Sequence, residues 1–218
     1  MAWQRKASSG GGDFSEAPPA GPHPAVLVGL IQLGTQETEF QGKKDWKEQI
    51  LLVRELTATK KSQSTENHII QKQYTFSLNQ KASLRKLIEN WRGKSLAEGE
   101  DFDILKCLGK SCLVTVIHTG TGEKPYGKIE GVGGVPTGLT VPPPTKAPVA
   151  WSIDESVAKL PDWLPFLYGE SVLDVIKRSQ EVSGKGPPTI SNPPKGNGAP
   201  TTAPAATAPA DMSAAAPF

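Results

Sequence analysis

Six lysines and three aromatic residues stand where they could hold a nucleic-acid strand. Lys43 and Lys44 precede Trp46, Lys60 and Lys61 precede a strand-like stretch carrying Lys72 and Tyr74, and Lys124 comes just before Tyr126. Ammonium groups meet phosphates with an affinity that falls as salt rises, and aromatic faces stack bases without regard to sequence. The formal charge of +2 is too small to announce such a partner, so its distribution carries the argument. From Lys60 to Lys94 eight basic residues face only Glu66 and Glu89. Each position also has an ordinary reading. Paired lysines are often solvated loop charges. Tyr74 shares a strand face with Ile70 and Phe76, so barrel interior and base stacking both stay open for it. Lys72 lies on that same face, which is either the binding surface or one from whose edge Lys72 snorkels. Trp91 falls on a helical apolar stripe and reads as core, with Lys81, Arg85 and Arg92 as its solvated edge.

Catalysis has little to work with. His23, His68 and His118 have no metal-binding spacing, and no glycine-rich phosphate loop is present. Glu98, Glu100, Asp101 and Asp103 crowd into one short polar loop and read as solvated. Cys107 and Cys112 lack the second pair that a structural zinc needs, and read as buried thiols. No catalytic residue, metal or cofactor is expected. The longest apolar run, Ala25 to Ile31, is far short of the roughly 18 to 20 residues of a membrane span. The N-terminal stretch lacks the apolar core of a secretory signal, and the reading is intracellular.

The elements that must position these residues follow from periodicity. Ala25–Leu33 is aliphatic and β-branched and predicts a first strand; a polar loop Thr35–Asp45 leads to a second, Trp46–Ala58; alternation predicts a third, His68–Phe76. The period then changes: Leu84, Leu87, Ile88 and Trp91 form one helical stripe, with Asn79 as N-cap and Gly93 past the end. Ser111–His118 and Tyr126–Val132 predict two more strands. Strand, strand, strand, helix, strand, strand is the order of a five-stranded OB-type barrel with its helix between strands three and four. The fold class is therefore mainly β, an OB-type barrel plus a C-terminal helix over Ser171–Val182, with Trp151–Ile153 as a short edge strand.

The expected organisation is a flexible segment at 1–24, an OB domain at 25–136, a Pro-rich linker at 137–150, a strand and helix element at 151–183, and a disordered Ala/Pro-rich tail at 184–218. In such a barrel a strand of nucleic acid crosses the second and third strands and is gripped by the loops Thr35–Asp45 and Thr119–Pro125.

Several stretches in order resemble a family of tailed-phage single-stranded DNA-binding proteins of the OB fold. They are Gln32-Leu33-Gly34-Thr35-Gln36, Lys81-Ala82-Ser83-Leu84-Arg85-Lys86 with Trp91-Arg92-Gly93-Lys94, Leu108 to Val116, Leu160-Pro161-Asp162-Trp163, and Lys177 to Glu181. The resemblance spans roughly Val26 to Glu181. It implies binding and protection of single-stranded DNA during phage replication or recombination, in the cytoplasm of the infected bacterium. It transfers no site residues, which rest on the charge and aromatic pattern above. The terminal Pro217-Phe218 resembles the tip of bacterial single-stranded DNA-binding tails, which dock on replication partners; here a single acid, Asp211, replaces the acidic cluster. The competing expectations are an OB protein-interaction module and a recombination mediator without strong DNA binding of its own. Self-association stays open.

Overall fold

The aliphatic run at Ala25 is the centre of a strand much longer than its apolar part. A computed structural model describes residues 16–59, 66–119, 126–167 and 169–185, with β1 at Gly21–Phe40 and β2 at Lys43–Thr59. The expected loop Thr35–Asp45 is instead the hairpin arm that joins them, with Phe40 opposite Lys43. Its turn is two residues long. Gln41 and Gly42 have φ of 51° and 75°, the left-handed pair that suits a tight hairpin between twisted strands. The arm leaves no apolar stripe because neither of its faces is fully dry, and a period-two reading depends on one dry face.

β1 also starts inside the expected flexible segment. Gly21–Pro24 pair with β4 (Ser111–Thr119), whereas β2 reaches back only to Ala25 opposite Leu56. Pro22 and Pro24 therefore cost no ladder bond on the β2 side. Further along, the register shifts at Leu27/Gly29 and Gln32/Gly34. Such bulges re-aim side chains, so Ala25, Leu27 and Leu30 face one core while Val26, Val28, Ile31 and Leu33 face the other. That double burial is why the run reads as continuously apolar.

β3 (Asn67–Thr75), β5 (Tyr126–Gly133) and β6 (Val149–Trp151) complete a six-stranded sheet. The order is β3-β2-β1-β4-β5, with β6 alongside β1. All pairs are antiparallel except β1 with β6. Among the described residues no ladder joins β3 to β5; the Lys72 ammonium crosses that seam and donates to the Ile129 carbonyl at 3.3 Å.

One face of the sheet packs against α1 (Ser83–Arg92) and the 3-10 turn Ile104–Cys107. The helix starts later than expected: Ala82, not Asn79, is its N-cap and offers no side-chain bond, while Asn79 makes the turn before it through its carbonyl to the Ala82 N–H. Gly93 ends the helix at φ 64°. Cys107 and Cys112 are buried and free.

The other face is covered by the C-terminal segment: residues 137–148 carry no helix or strand and are mostly exposed, whereas the strand and helix element expected at 151–183 packs onto the sheet. Trp151, Leu167, Val172, Val175 and Ile176 are buried against β1 and β2. The single helix expected over Ser171–Val182 is two short ones, α2 (Val172–Lys177) and α3 (Gln180–Ser183). Polar contacts fix the layer: the Glu55 carboxylate accepts from the Thr145 and Lys146 amides at 2.8 and 2.9 Å, the Thr145 hydroxyl and the Asn67 amide. Glu181 accepts from the Thr35 amide and hydroxyl. Gly34 permits that approach. Its φ is 72°, and a Cβ there would lie 2.6 Å from both Ser179 Cβ and Glu181 Oε2. Among the described residues no helix is long and apolar enough to cross a membrane.

Candidate nucleic-acid interface

The C-terminal layer decides which surface a ligand could reach. Burying five large apolar side chains is worth on the order of 10 kcal/mol as an upper figure. That gross figure is offset by the entropy cost of ordering the segment, but with these five side chains at most 6% exposed the layer is part of the packed structure. The outer face of β1 and β2 is closed to a ligand. It extends over part of β3, where Ile69 packs into the second core and Gln71 donates to the Phe166 carbonyl. The crossing expected over the second and third strands has no open sheet there.

The candidate residues consequently separate. Lys43, Lys44 and Trp46 sit together on the hairpin arm, the lysines exposed and Trp46 half-buried opposite Glu37. Lys44 is not a free cation: its ammonium lies 2.5 Å from Glu37 Oε1, and that hydrogen bond and charge hold its pKa above the usual lysine value. Lys47 pairs with Asp45 at 3.3 Å. Tyr74 is 5% exposed and packed inside the first core, and burial pushes its hydroxyl up. A base cannot stack on it without opening the core, so Tyr74 leaves the set. Its neighbours Ile50 and Ile70 explain why: the alternate positions of β2 and β3 that share its face are the interior ones. Lys60, Lys61, Lys124, Pro217 and Phe218 lie outside the described residues.

The basic excess of the β3 and α1 region is also smaller in space than in sequence. Arg85 bonds Glu89 at 3.0 Å and donates to the Leu78 and Leu96 carbonyls, and Arg92 pairs with Glu100 at 3.3 Å above the Phe102 ring. Trp91 packs on the core and donates its Nε1–H to the Ser111 carbonyl at 2.8 Å.

An open surface remains on the outer face of β4 and β5. Cys112, Val114 and Val116 point inward, which turns Leu113, Thr115 and Ile117 outward opposite Gly133, Gly131 and Lys128. A Cβ built at Gly131 or Gly133 would meet nothing within 4 Å, so at the end of β5 away from Tyr126 the backbone lies bare beside Leu113 and Thr115. At the other end stands Tyr126, 63% exposed, opposite Thr119. Lys128 is exposed beside it. At the adjoining seam the Lys72 ammonium lies 5.6 Å above the Tyr74 ring. Burial, then the charges of Lys128 and Arg54, lower its pKa, with Glu130 opposing. Lys128 and Arg54 escaped the sequence reading. Arg54 interrupts the apolar run of β2, yet its parity with Ile50, Leu52 and Leu56 places it indoors. Among the described residues no cluster of His, Cys, Asp or Glu could hold a metal ion. Compared with models of protein families and with curated protein sequences, the chain matches none.

Proposed function

We propose that this protein binds single-stranded DNA with little sequence preference and without catalysis, its sheet acting as an OB-type barrel whose strand-binding surface is the open outer face of β4 and β5. The observation that carries this reading is Tyr126, a 63% exposed ring two residues from the exposed Lys128 on the outer face of β5. A base can lie flat on such a ring while its phosphates follow the lysines. The arm, with Lys43 and Trp46, offers a second contact. The family resemblance supports a role in protecting single strands during phage replication or recombination, in the host cytoplasm.

The test is fluorescence anisotropy of labelled oligo-dT and the matching duplex at two salt concentrations around the physiological value. Preferential binding to the single strand that weakens with salt is the expected result; no binding to either at low salt removes the reading. Tyr126→Ala should weaken oligo-dT binding by about 1 to 3 kcal/mol, with thermal stability unchanged because the ring is exposed. Trp46→Ala should have an effect in the same range if the arm reaches the strand. Unchanged affinity with a lowered melting temperature would make Trp46 structural.

A second reading rests on the C-terminal layer, where Val157, Phe166 and Val182 are each at least 41% exposed. Such a surface suits a protein-docking module, with DNA affinity absent or insensitive to salt.

A further inference from the structure

Six glycines stand in the described strands, and the fold explains four of them. Gly21 and Gly34 have φ of 118° and 72°, a backbone that glycine alone adopts readily. A Cβ at Gly29 would lie 3.0 Å from Val53 Cβ, and one at Gly127 would lie 2.8 Å from Pro18 Cγ. Gly131 and Gly133 answer to neither cause. Their φ is outside the left-handed region, and an added Cβ would meet nothing. The register shift beside Gly131, at Thr115/Val116, does not require it either, since only a bulge with a left-handed residue calls for glycine. Glycine weakens a strand through backbone entropy and a missing side chain. The fold therefore gains nothing from these two, and such a strand glycine marks a place where something outside the chain approaches the backbone.

Bare backbone names no ligand by itself; the charges around it do. The last turn of α1 abuts this end of β5, where a Cβ at Gly134 would lie 3.0 Å from the Trp91 carbonyl oxygen. Just past the helix, the exposed Lys94 shares a cleft with Val132. Lys110, also exposed, stands directly before β4, whose Leu113 pairs with Gly133. Lys128 lies on the Tyr126 side. The carboxylates near Lys94 are engaged elsewhere. Glu89 accepts from Arg85 and the Leu96 amide. Glu100 accepts from the Ala97 amide and Arg92, which together with Lys94 lower its pKa. Glu130 is the one exposed carboxylate on β5. At about 3.3 Å per residue, the eight residues of β5 make a track of roughly 25 Å. We propose that a bound single strand runs the length of this track, lying on the bare backbone of Gly131 and Gly133 and meeting Lys94 and Lys110 through its phosphates. This rests on the functional reading above and assigns its far end: the two glycines admit the strand, and the two lysines hold it beside α1.

The experiment measures melting temperature and oligo-dT affinity at several salt concentrations for wild type, G131T/G133T, G131A/G133A and K94Q/K110Q. Threonine at both glycines should raise the melting temperature by about 2 to 4 °C, because strand propensity improves and open space receives the side chains. The same pair should bind oligo-dT several-fold more weakly, with the alanine pair between it and wild type. Stability and affinity moving in opposite directions is a result that a merely structural role of the glycines does not give. K94Q/K110Q should melt with wild type, and its salt slope should be shallower by about 1.4, two phosphate contacts at about 0.7 each. If the threonine pair does not fold, the alanine and lysine pairs carry the comparison. Unchanged affinity in both glycine pairs, or an unchanged salt slope in the lysine pair, overturns the proposal. Either result leaves strand binding by wild type and its loss in Tyr126→Ala standing. Failure of wild type to bind oligo-dT at low salt instead removes the functional reading, and with it the strand as occupant of this face, which then falls to a protein partner.

Discussion

Trp151→Ala should cost about 3 to 5 kcal/mol of folding stability, the range for removing a fully packed tryptophan. The residue is 3% exposed at the end of β6, where it pairs with Ile31 of β1. Its ring lies in the second core with Val172, Val175 and Ile176, and its Nε1–H donates to the Ser156 carbonyl at 3.2 Å. Alanine would leave a cavity between two elements that the chain brings together across more than a hundred residues. Urea unfolding should show one transition moved to lower denaturant with its slope unchanged. Two separate transitions would mean that the C-terminal layer folds independently of the sheet.

This expectation also marks what the sequence conceals. The strands with a dry centre were legible: Ile50–Val53, the alternation of β3 and the SCLVTV run of β4 appear at nearly their true places. So was the stripe of α1, since Leu84, Leu87 and Ile88 all face the core. The hairpin arm was not, because strand propensity without burial leaves no periodic mark. Nor was the partner of the second face. Continuous apolar character in Ala25–Leu33 announces that both faces are covered, but nothing in it says that Trp151, Leu167 and α2 do the covering.

The site was legible to a smaller degree, for a related reason. Residue type identifies a group able to stack or to meet a phosphate, whereas exposure decides whether it can. Tyr74 and Tyr126 are the same chemistry, one inside the first core and one 63% exposed. Strand parity separates them: Tyr74 alternates in step with Ile70, while Tyr126 and Lys128 alternate against Ile129. Lys72 could be read only as a conflict, and the conflict is informative. A cation on an apolar face is tolerated at an open edge, and the seam between β3 and β5 is that edge.

Glu55→Gln should be the most damaging change that removes no packing volume, costing about 2 to 4 kcal/mol at pH 7. The carboxylate is 2% exposed and accepts four hydrogen bonds, from the Thr145 amide and hydroxyl, the Lys146 amide and the Asn67 side chain. Bonds to a charged acceptor are worth about 1.5 to 3 kcal/mol each, and an amide NH₂ facing backbone donors leaves some of them unmade. The pH dependence follows from the same geometry. Burial alone would raise this carboxyl, but the donors outweigh it and its pKa in the folded protein is lowered. A lowered folded pKa contributes stability that is complete above the unfolded value of about 4.3 and is lost as pH falls through the folded one. The gap between wild type and E55Q should therefore be full at pH 7 and begin to close below about pH 4. Urea midpoints for both proteins from pH 7 to pH 3 measure it. A gap that stays constant across that range would mean that the shape of the side chain, and not its charge, holds residues 145 and 146 against β2.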